Sequence, residues 1–334
     1  MVVKREALSD RVFDPANMQD AAQELDTGVA LSGRSFTQDF VLTDELDQLC
    51  GRALRYLGAR IPIHFRGRAG CGKTALSLFL AHELGRKVYF LNGDAMRDTA
   101  SLIGQETGVR TRQVLDRYVH SVHKLERETS INWRDDVLTQ AALGGGTLVY
   151  DEFTRSPAEA NNALLSVLEE GILVLPAAAG KGSFAPVHDD FRVIFTSNSL
   201  EYAGVQAPQD ALIDRMITFD LDDLTLETET AIVSHRTALE DEQAARIVAL
   251  VRDFRTSGTA IQMPTMRASL MIAEVVRRAG LSVSADDAEF CDLVCDVLSS
   301  KAQDAQKSGA EAPIRAALLD TVKRHCAASA QAGR

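Results

Sequence analysis

Gly67-Arg68-Ala69-Gly70-Cys71-Gly72-Lys73-Thr74 decides the fold. The octet fits G-x-x-x-x-G-K-[S/T], a pattern that cradles phosphates when it joins a strand to a helix. Both neighbours are present: the short apolar run Ile61 to Phe65 reads as a strand, and Ala75 to Leu84 reads as a helix. The glycines let the backbone curl without Cβ clashes. The N–H groups of residues 70 to 74 then point at the α- and β-phosphates, where the helix dipole also favours negative charge. All eight residues, Gly67, Arg68, Ala69, Gly70, Cys71, Gly72, Lys73 and Thr74, are candidate nucleotide contacts. Lys73 reaches the β/γ oxygens of ATP, and the Thr74 hydroxyl ligates Mg²⁺. A chance glycine-rich turn is the plain alternative, and the flanking strand and helix weigh against it.

Working outward, Thr147-Leu148-Val149-Tyr150-Asp151-Glu152 is an apolar strand that ends in two acids. In a parallel sheet the ligand lies beyond the carboxyl ends of the strands, so these acids face the phosphates. Asp151 then joins the Mg²⁺ shell, and Glu152 polarises a water for attack on the γ-phosphate. Solvated acids at a strand end are the alternative. Phe191-Arg192-Val193-Ile194-Phe195-Thr196-Ser197-Asn198 is another apolar strand, with Asn198 at its carboxyl end. An amide there can hydrogen-bond both the γ-phosphate and the attacking water, although a lone Asn more often sits in a turn.

Further strands are expected at Lys87 to Leu91 and Met216 to Leu221, and a helix at Pro157 to Glu170. Thr43 is a candidate N-cap for a helix carrying Leu46, Leu49, Cys50, Ala53, Leu54 and Leu57 at helical spacing. Strands alternating with helices imply an α/β fold, a parallel five-stranded sheet flanked by helices. From about residue 226 the pattern turns helical throughout: 228–256, 266–279, 286–307 and 313–328. The expected division is an N-terminal arm (1–40), an α/β nucleotide-binding domain (41–225) and an all-helical lid domain (226–334).

The chain has 334 residues, 46% hydrophobic and 25% charged, with a net charge of −11. That composition fits a globular protein and excludes disordered or collagen-like chains. The acidic balance argues against a general nucleic-acid or anionic-membrane binder. The uncharged run Val137 to Tyr150 is shorter than a bilayer span, and no signal peptide is visible. Five scattered cysteines read as reduced thiols in a cytoplasmic protein.

The phosphate loop, the acid pair and the Asn198 strand, in this order, resemble the AAA+ ATPases over residues 40 to 330. Within them the chain is similar to the MoxR branch. Asp151-Glu152-Phe153-Thr154-Arg155-Ser156-Pro157 parallels that branch's acid pair followed by an Arg and a Pro. Leu212-Ile213-Asp214-Arg215-Met216 parallels its arginine-finger segment, and Pro264-Thr265-Met266-Arg267-Ala268-Ser269 its second sensor. Gly104 to Val137 corresponds to the helix-2 insert, and Gly171 to Asp190, with Leu175-Pro176 and Gly180-Lys181-Gly182, to a hairpin. A more specific similarity, to the gas-vesicle protein N family, rests on Thr147 to Ser156, Glu159 to Asn162, Leu164 to Glu170, Asp190 to Asn198, Glu201 to Gly204 and Gln209 to Ile217. The chain departs from that family at Arg68 and Cys71, where Pro and Thr are usual, and in Arg134-Asp135-Asp136-Val137, which lacks a Gly-Pro.

The resemblance implies an Mg²⁺-dependent ATPase in a homo-hexameric ring with ATP at subunit interfaces. Arg215 would act in trans on a neighbour's γ-phosphate, and Arg267 in cis to couple nucleotide to the lid. It also implies an interface position for Arg155 and a hold on Glu152 by Asn92, with a simple turn Asn as the alternative. Gas vesicle shell or accessory proteins are the implied partners, and association with gas vesicles in the cytoplasm the implied location. A MoxR-type chaperone that matures or reactivates a metalloenzyme shares every ATPase residue. Tyr150, Phe153-Thr154, Asn161-Asn162 and Glu201-Tyr202 favour the vesicle reading. A nucleotide-gated module that does not hydrolyse is a third reading, opposed by Glu152, Asn198 and Arg215. His120 and His123 read as a solvated helix face, Cys291 and Cys295 as buried thiols, and the acids from Asp220 to Glu229 as a solvated linker.

Overall fold

A computed structural model describes residues 40–116, 124–176, 179, 183–198, 210–221, 224–257, 263–299 and 311–326. The arm expected over 1–40 lies outside them save Phe40, as do His120, His123, Glu201, Tyr202, Asp222 and Asp223. The described residues fall into two compact units. One lies within Cys50–Arg66 and Thr74–Asp220, the other within Gln38–Leu49, Gly67–Lys73 and Leu221–Arg334.

The elements run α1 (Asp44–Gly58), β1 (Ile63–Gly67), α2 (Lys73–Glu83), β2 (Val88–Asn92), α3 (Ala100–Ile103), β3 (Gly104–Asp116), β4 (Lys124–Asp135), α4 (Val137–Gly144) and β5 (Thr147–Asp151). After a 3₁₀ turn at Phe153–Arg155 come α5 (Ala158–Glu169), β6 (Ile172–Val174), β7 (Phe184–Pro186), β8 (Arg192–Asn198), α6 (Asp210–Ile213) and β9 (Ile217–Leu221). The sheet order is β2-β5-β8-β1-β9. β2 and β5 pair in parallel from Val88↔Thr147 to Asn92↔Asp151, and β5 and β8 from Thr147↔Arg192 to Tyr150↔Phe195. This register sets Asp151 and Asn198 at the carboxyl ends of adjacent strands. Thr147, Leu148, Val149 and Tyr150 are all buried, as a central strand covered on both faces requires. Leu148, Tyr150, Phe153, Leu164 and Phe195 belong to one apolar core.

The expected α/β class and all five strands are present, with ends displaced by a residue or two. The expected hairpin before Asn198 is β6–β7, paired Ile172↔Pro186 to Val174↔Phe184. The insert expected from Gly104 to Val137 carries a ribbon of two strands. β3 and β4 pair antiparallel from Gly104↔Asp135 to Asp116↔Lys124, and the helix expected at His120 and His123 lies outside the described residues. The α4 helix was not foreseen. Asp136 begins it by accepting the Val137 N–H, and Gly145 ends it at φ +70°.

The second unit carries α7 (Leu226–Thr237), α8 (Asp241–Thr256), α9 (Met266–Ala279), α10 (Ala288–Ser299) and α11 (Glu311–His325) around Ile247, Phe254, Ile272, Val276, Phe290 and Leu318. The single helical stretch expected at 228–256 is two helices, because Ala238 turns left-handed at φ +53°. Nor are the acids before α8 all solvated. Glu229 is 2% exposed and ion-paired to Arg255 at 3.2 Å and Arg252 at 3.3 Å. Cys291 and Cys295 are buried, as their apolar helix face implied. Among the described residues no helix is long and apolar enough to cross a membrane.

Candidate nucleotide site

The phosphate loop holds its shape through backbone conformations that favour glycine, φ +82° at Gly70 and +93° at Gly72. A Cβ at Gly70 would also meet the Thr265 hydroxyl at 2.7 Å. Lys73 is 6% exposed, and its Nζ donates to the carbonyls of Gly67 at 3.1 Å and Arg68 at 2.7 Å. The ammonium is thus folded back on the loop's own oxygens, where phosphate oxygens can replace them. The Arg68 guanidinium lies 2.9 Å from the Met263 sulfur.

One residue on, the Thr74 hydroxyl lies 2.9 Å from each carboxylate oxygen of Asp151. The Thr196 hydroxyl bonds Asp151 Oδ1 from the other side and accepts the Glu152 N–H at 2.9 Å. Two hydroxyls around one carboxylate form a compact set of hard oxygen donors, the kind that suits Mg²⁺. These residues therefore fit the metal that the motif implies.

Glu152 stands in the left-handed region at φ 51°, ψ 39°. Few residues with a Cβ adopt that conformation, and it turns the carboxylate away from the strand direction. Oε1 accepts from Asn198 Nδ2 at 3.0 Å, and Oε2 from Arg155 Nε at 2.6 Å. A carboxylate beside an amide donor can take a proton from a water while the amide orients it.

The structure thus brings Thr74, Asp151, Glu152 and Asn198 together and adds Thr196 and Arg155. The role of Thr196 was missed. Its signal was its place two residues before Asn198, on the same face of the strand. Two arginines stand apart. Arg215 pairs with Glu169 and with the Ala211 carbonyl, and its side chain is 29% exposed. Arg267 lies exposed on the first turn of α9. The Asn92 carbonyl accepts from Arg97 at 3.0 Å, while the contacts to the Glu152 carboxylate come from Asn198 and Arg155.

Residues 62–216 match the AAA domain, dynein-related subfamily. The chain is 48% identical over 289 residues to the gas vesicle ATPase GvpN of Ancylobacter aquaticus, covering 86% of this chain and 81% of that protein. It is 42% identical over 268 residues to the gas vesicle ATPase GvpN of Haloferax mediterranei, covering 79% and 75%. Protein CbbQ of Hydrogenophilus thermoluteolus is 24% identical over 189 residues, covering 57% and 63%. The GvpN matches run far longer than the AAA domain itself, and with them the chain belongs to the gas vesicle ATPase GvpN family of the AAA+ ATPases.

Proposed function

We propose that this chain is an ATP-driven assembly factor that remodels or inserts shell proteins as gas vesicles form and grow. The observation that carries this reading is the 48% identity to a gas vesicle ATPase over 86% of the chain, twice the 24% identity to CbbQ.

The residues divide the work as follows. Lys73 and the N–H groups of residues 70 to 74 hold the phosphates of ATP. Thr74 and Asp151 would hold Mg²⁺, which would supply charge neutralisation for the phosphates. Thr196 keeps Asp151 and the Glu152 backbone in register. Glu152 accepts the proton of the attacking water, and Asn198 orients that water. Arg267 acts in cis from the lid. Arg215 leaves Glu169 and acts in trans on a neighbour's γ-phosphate, an effect of about 10³ to 10⁵ in rate for such fingers. The assembly is a homo-hexameric ring in the cytoplasm, associated with gas vesicles, with shell or accessory proteins as partners. Residues 41–225 form the nucleotide-binding domain and 226–334 the lid, preceded by an arm.

A Glu152→Gln variant should bind ATP, stall, and retain its client. Pull-down with this variant and ATP from vesicle-forming cells should recover shell or shell-assembly proteins. Recovery of a metalloenzyme instead would transfer the same ATPase to the chaperone reading. Arg215→Ala should lose hydrolysis and regain part of it when mixed with Lys73→Ala. Absence of rescue would mean that Arg215 does not act in trans.

A further inference from the structure

Beneath the turn that carries Glu152 lies a buried polar chain of Tyr150, Ser156 and Asn161. The Tyr150 hydroxyl is 2.7 Å from Ser156 Oγ and 3.1 Å from Asn161 Oδ1. Ser156 Oγ also accepts the Asp94 N–H at 3.1 Å, and Asn161 Nδ2 donates to the Phe153 carbonyl at 3.4 Å. Tyr150, Ser156 and Asn161 are 0%, 2% and 4% exposed.

Proton counting fixes the direction of these bonds. A tyrosine hydroxyl has one proton, and an amide oxygen has none. Tyr150 therefore donates to Asn161 Oδ1, and Ser156 donates to the Tyr150 oxygen. The amide of Asn161 then faces the Phe153 carbonyl with its nitrogen. Burial pushes the Tyr150 hydroxyl above its ordinary range, so it remains a donor at working pH. The chain of bonds runs from the loop after β2, through β5, to both ends of the Phe153–Ser156 turn and to α5.

That turn is where Glu152 adopts its left-handed backbone, and such a conformation persists only where its surroundings over-determine it. On one side the Glu152 N–H is held by Thr196, and the Glu152 carbonyl accepts from Arg155 N–H at 2.9 Å. A Cβ at Gly93 would come within 2.0 Å of the Glu152 carbonyl oxygen, so the chain after β2 presses on the same peptide. On the other side the restraints come from Ser156 and Asn161.

We propose that Tyr150, Ser156 and Asn161 are positioning residues that aim the Glu152 carboxylate, acting through the Phe153–Ser156 turn. This rests on the reading of Glu152 as the base. It also gives a task to Tyr150 and Asn161, which a plain apolar core would fill with Phe and Leu.

The test is Tyr150→Phe, which removes one oxygen. The expected result is a fall in kcat of about 10- to 100-fold, the effect of sub-ångström to ångström misplacement, with KM for ATP and nucleotide affinity unchanged. Ser156→Ala makes the same test if Tyr150→Phe does not fold. The double variant Tyr150→Phe with Glu152→Gln should be no slower than Glu152→Gln alone, because both losses act through one group. Normal kcat in a folded Tyr150→Phe protein overturns the proposal, as does a parallel loss of kcat and nucleotide affinity, or a further slowing in the double variant. If Glu152→Gln itself turns over normally, the reading of Glu152 as the base fails first. If Glu152→Gln is inactive while Tyr150→Phe is normal, only the positioning proposal fails.

Discussion

Removing the Glu229 carboxylate should cost the helical unit about 3–5 kcal/mol. Glu229 lies on the first turn of α7, 2% exposed, with Arg255 (6% exposed) at 3.2 Å and Arg252 at 3.3 Å. At 3.2 Å, an effective dielectric near 20 gives about 5 kcal/mol of attraction, set against the desolvation of both ions. Glu229→Ala removes the attraction and leaves the Arg255 guanidinium buried without this carboxylate. Arg252 is part-exposed and can turn to water. Arg255 also donates Nε–H to the Pro264 carbonyl at 2.8 Å, directly before α9, so the disturbance reaches the turn that presents Arg267. For a unit of roughly one hundred residues each kcal/mol shifts Tm by about 4–8 °C, so the drop should exceed about 10 °C. The assay is urea and thermal unfolding followed by circular dichroism at 222 nm. Trp133, the one tryptophan, lies in the first unit, and its fluorescence follows that unit separately. Glu229→Leu with Arg255→Met should restore most of the loss, since both desolvation costs vanish together. A cost below about 1 kcal/mol for Glu229→Ala, or a double variant as unstable as the single, would refute the reasoning.

Lys73→Ala should abolish ATP binding, measured by fluorescent-nucleotide titration; retained affinity would remove Lys73 from the site. Alkylation at neutral pH should modify Cys71 first and be slowed by ATP, because Cys71 is part-exposed while Cys50, Cys291, Cys295 and Cys326 are buried. Burial pushes the Cys326 thiol up to about 11, so it should react only on unfolding. Labelling of Cys71 that ATP does not slow would count against its place at the phosphates. The hydrogen bond from Arg66 holds the Asp220 carboxyl below its usual range. A depressed folded-state value stabilises above the unfolded value and is lost as pH falls through the folded one. The pair is about half exposed, so Asp220→Asn should cost no more than about 1 kcal/mol at pH 7. That difference should close as pH drops below about 4; a gap that widens there would contradict it.

What could be read in advance follows a physical rule. The phosphate loop was legible because a short local pattern dictates its backbone, and the strand-ending acids because β5 is apolar on both faces. The α4 helix was equally local, with Asp136 at its start and Gly145 at its end. Thr196 and Glu229 were not local at all. A Thr in a strand reads as strand former until a neighbouring strand sets Asp151 beside it. A Glu at the end of an acidic run reads as part of a solvated linker until Arg255, 26 residues away, is folded over it. Long-range placement also decided the Gly104 to Asp135 insert, whose form as a ribbon rests on cross-strand pairing absent from any short window.

Burial divides the ion pairs of this protein into those that hold and those that can exchange. Glu229 and Arg255 are almost wholly excluded from water, and swapping partners there would strand a charge in the core. The pairs at the groups assigned to chemistry are different. Arg155, on Glu152, has a side chain 50% exposed, and Glu169, on Arg215, is 57% exposed. Each pair has one partner open to water, which competes for it and weakens the pair relative to Glu229–Arg255. A γ-phosphate carries more charge than one carboxylate and is met in a site from which water is displaced. In the proposed reading it draws Arg215 off Glu169, and Arg155 leaves Glu152. In the proposed reading, the isolated chain therefore keeps its base and its finger on weak same-chain partners, while the buried network under Tyr150 keeps the turn itself from moving. A base on a fixed turn and a finger on a loose partner are what the proposed ring needs if hydrolysis is to wait for a neighbour.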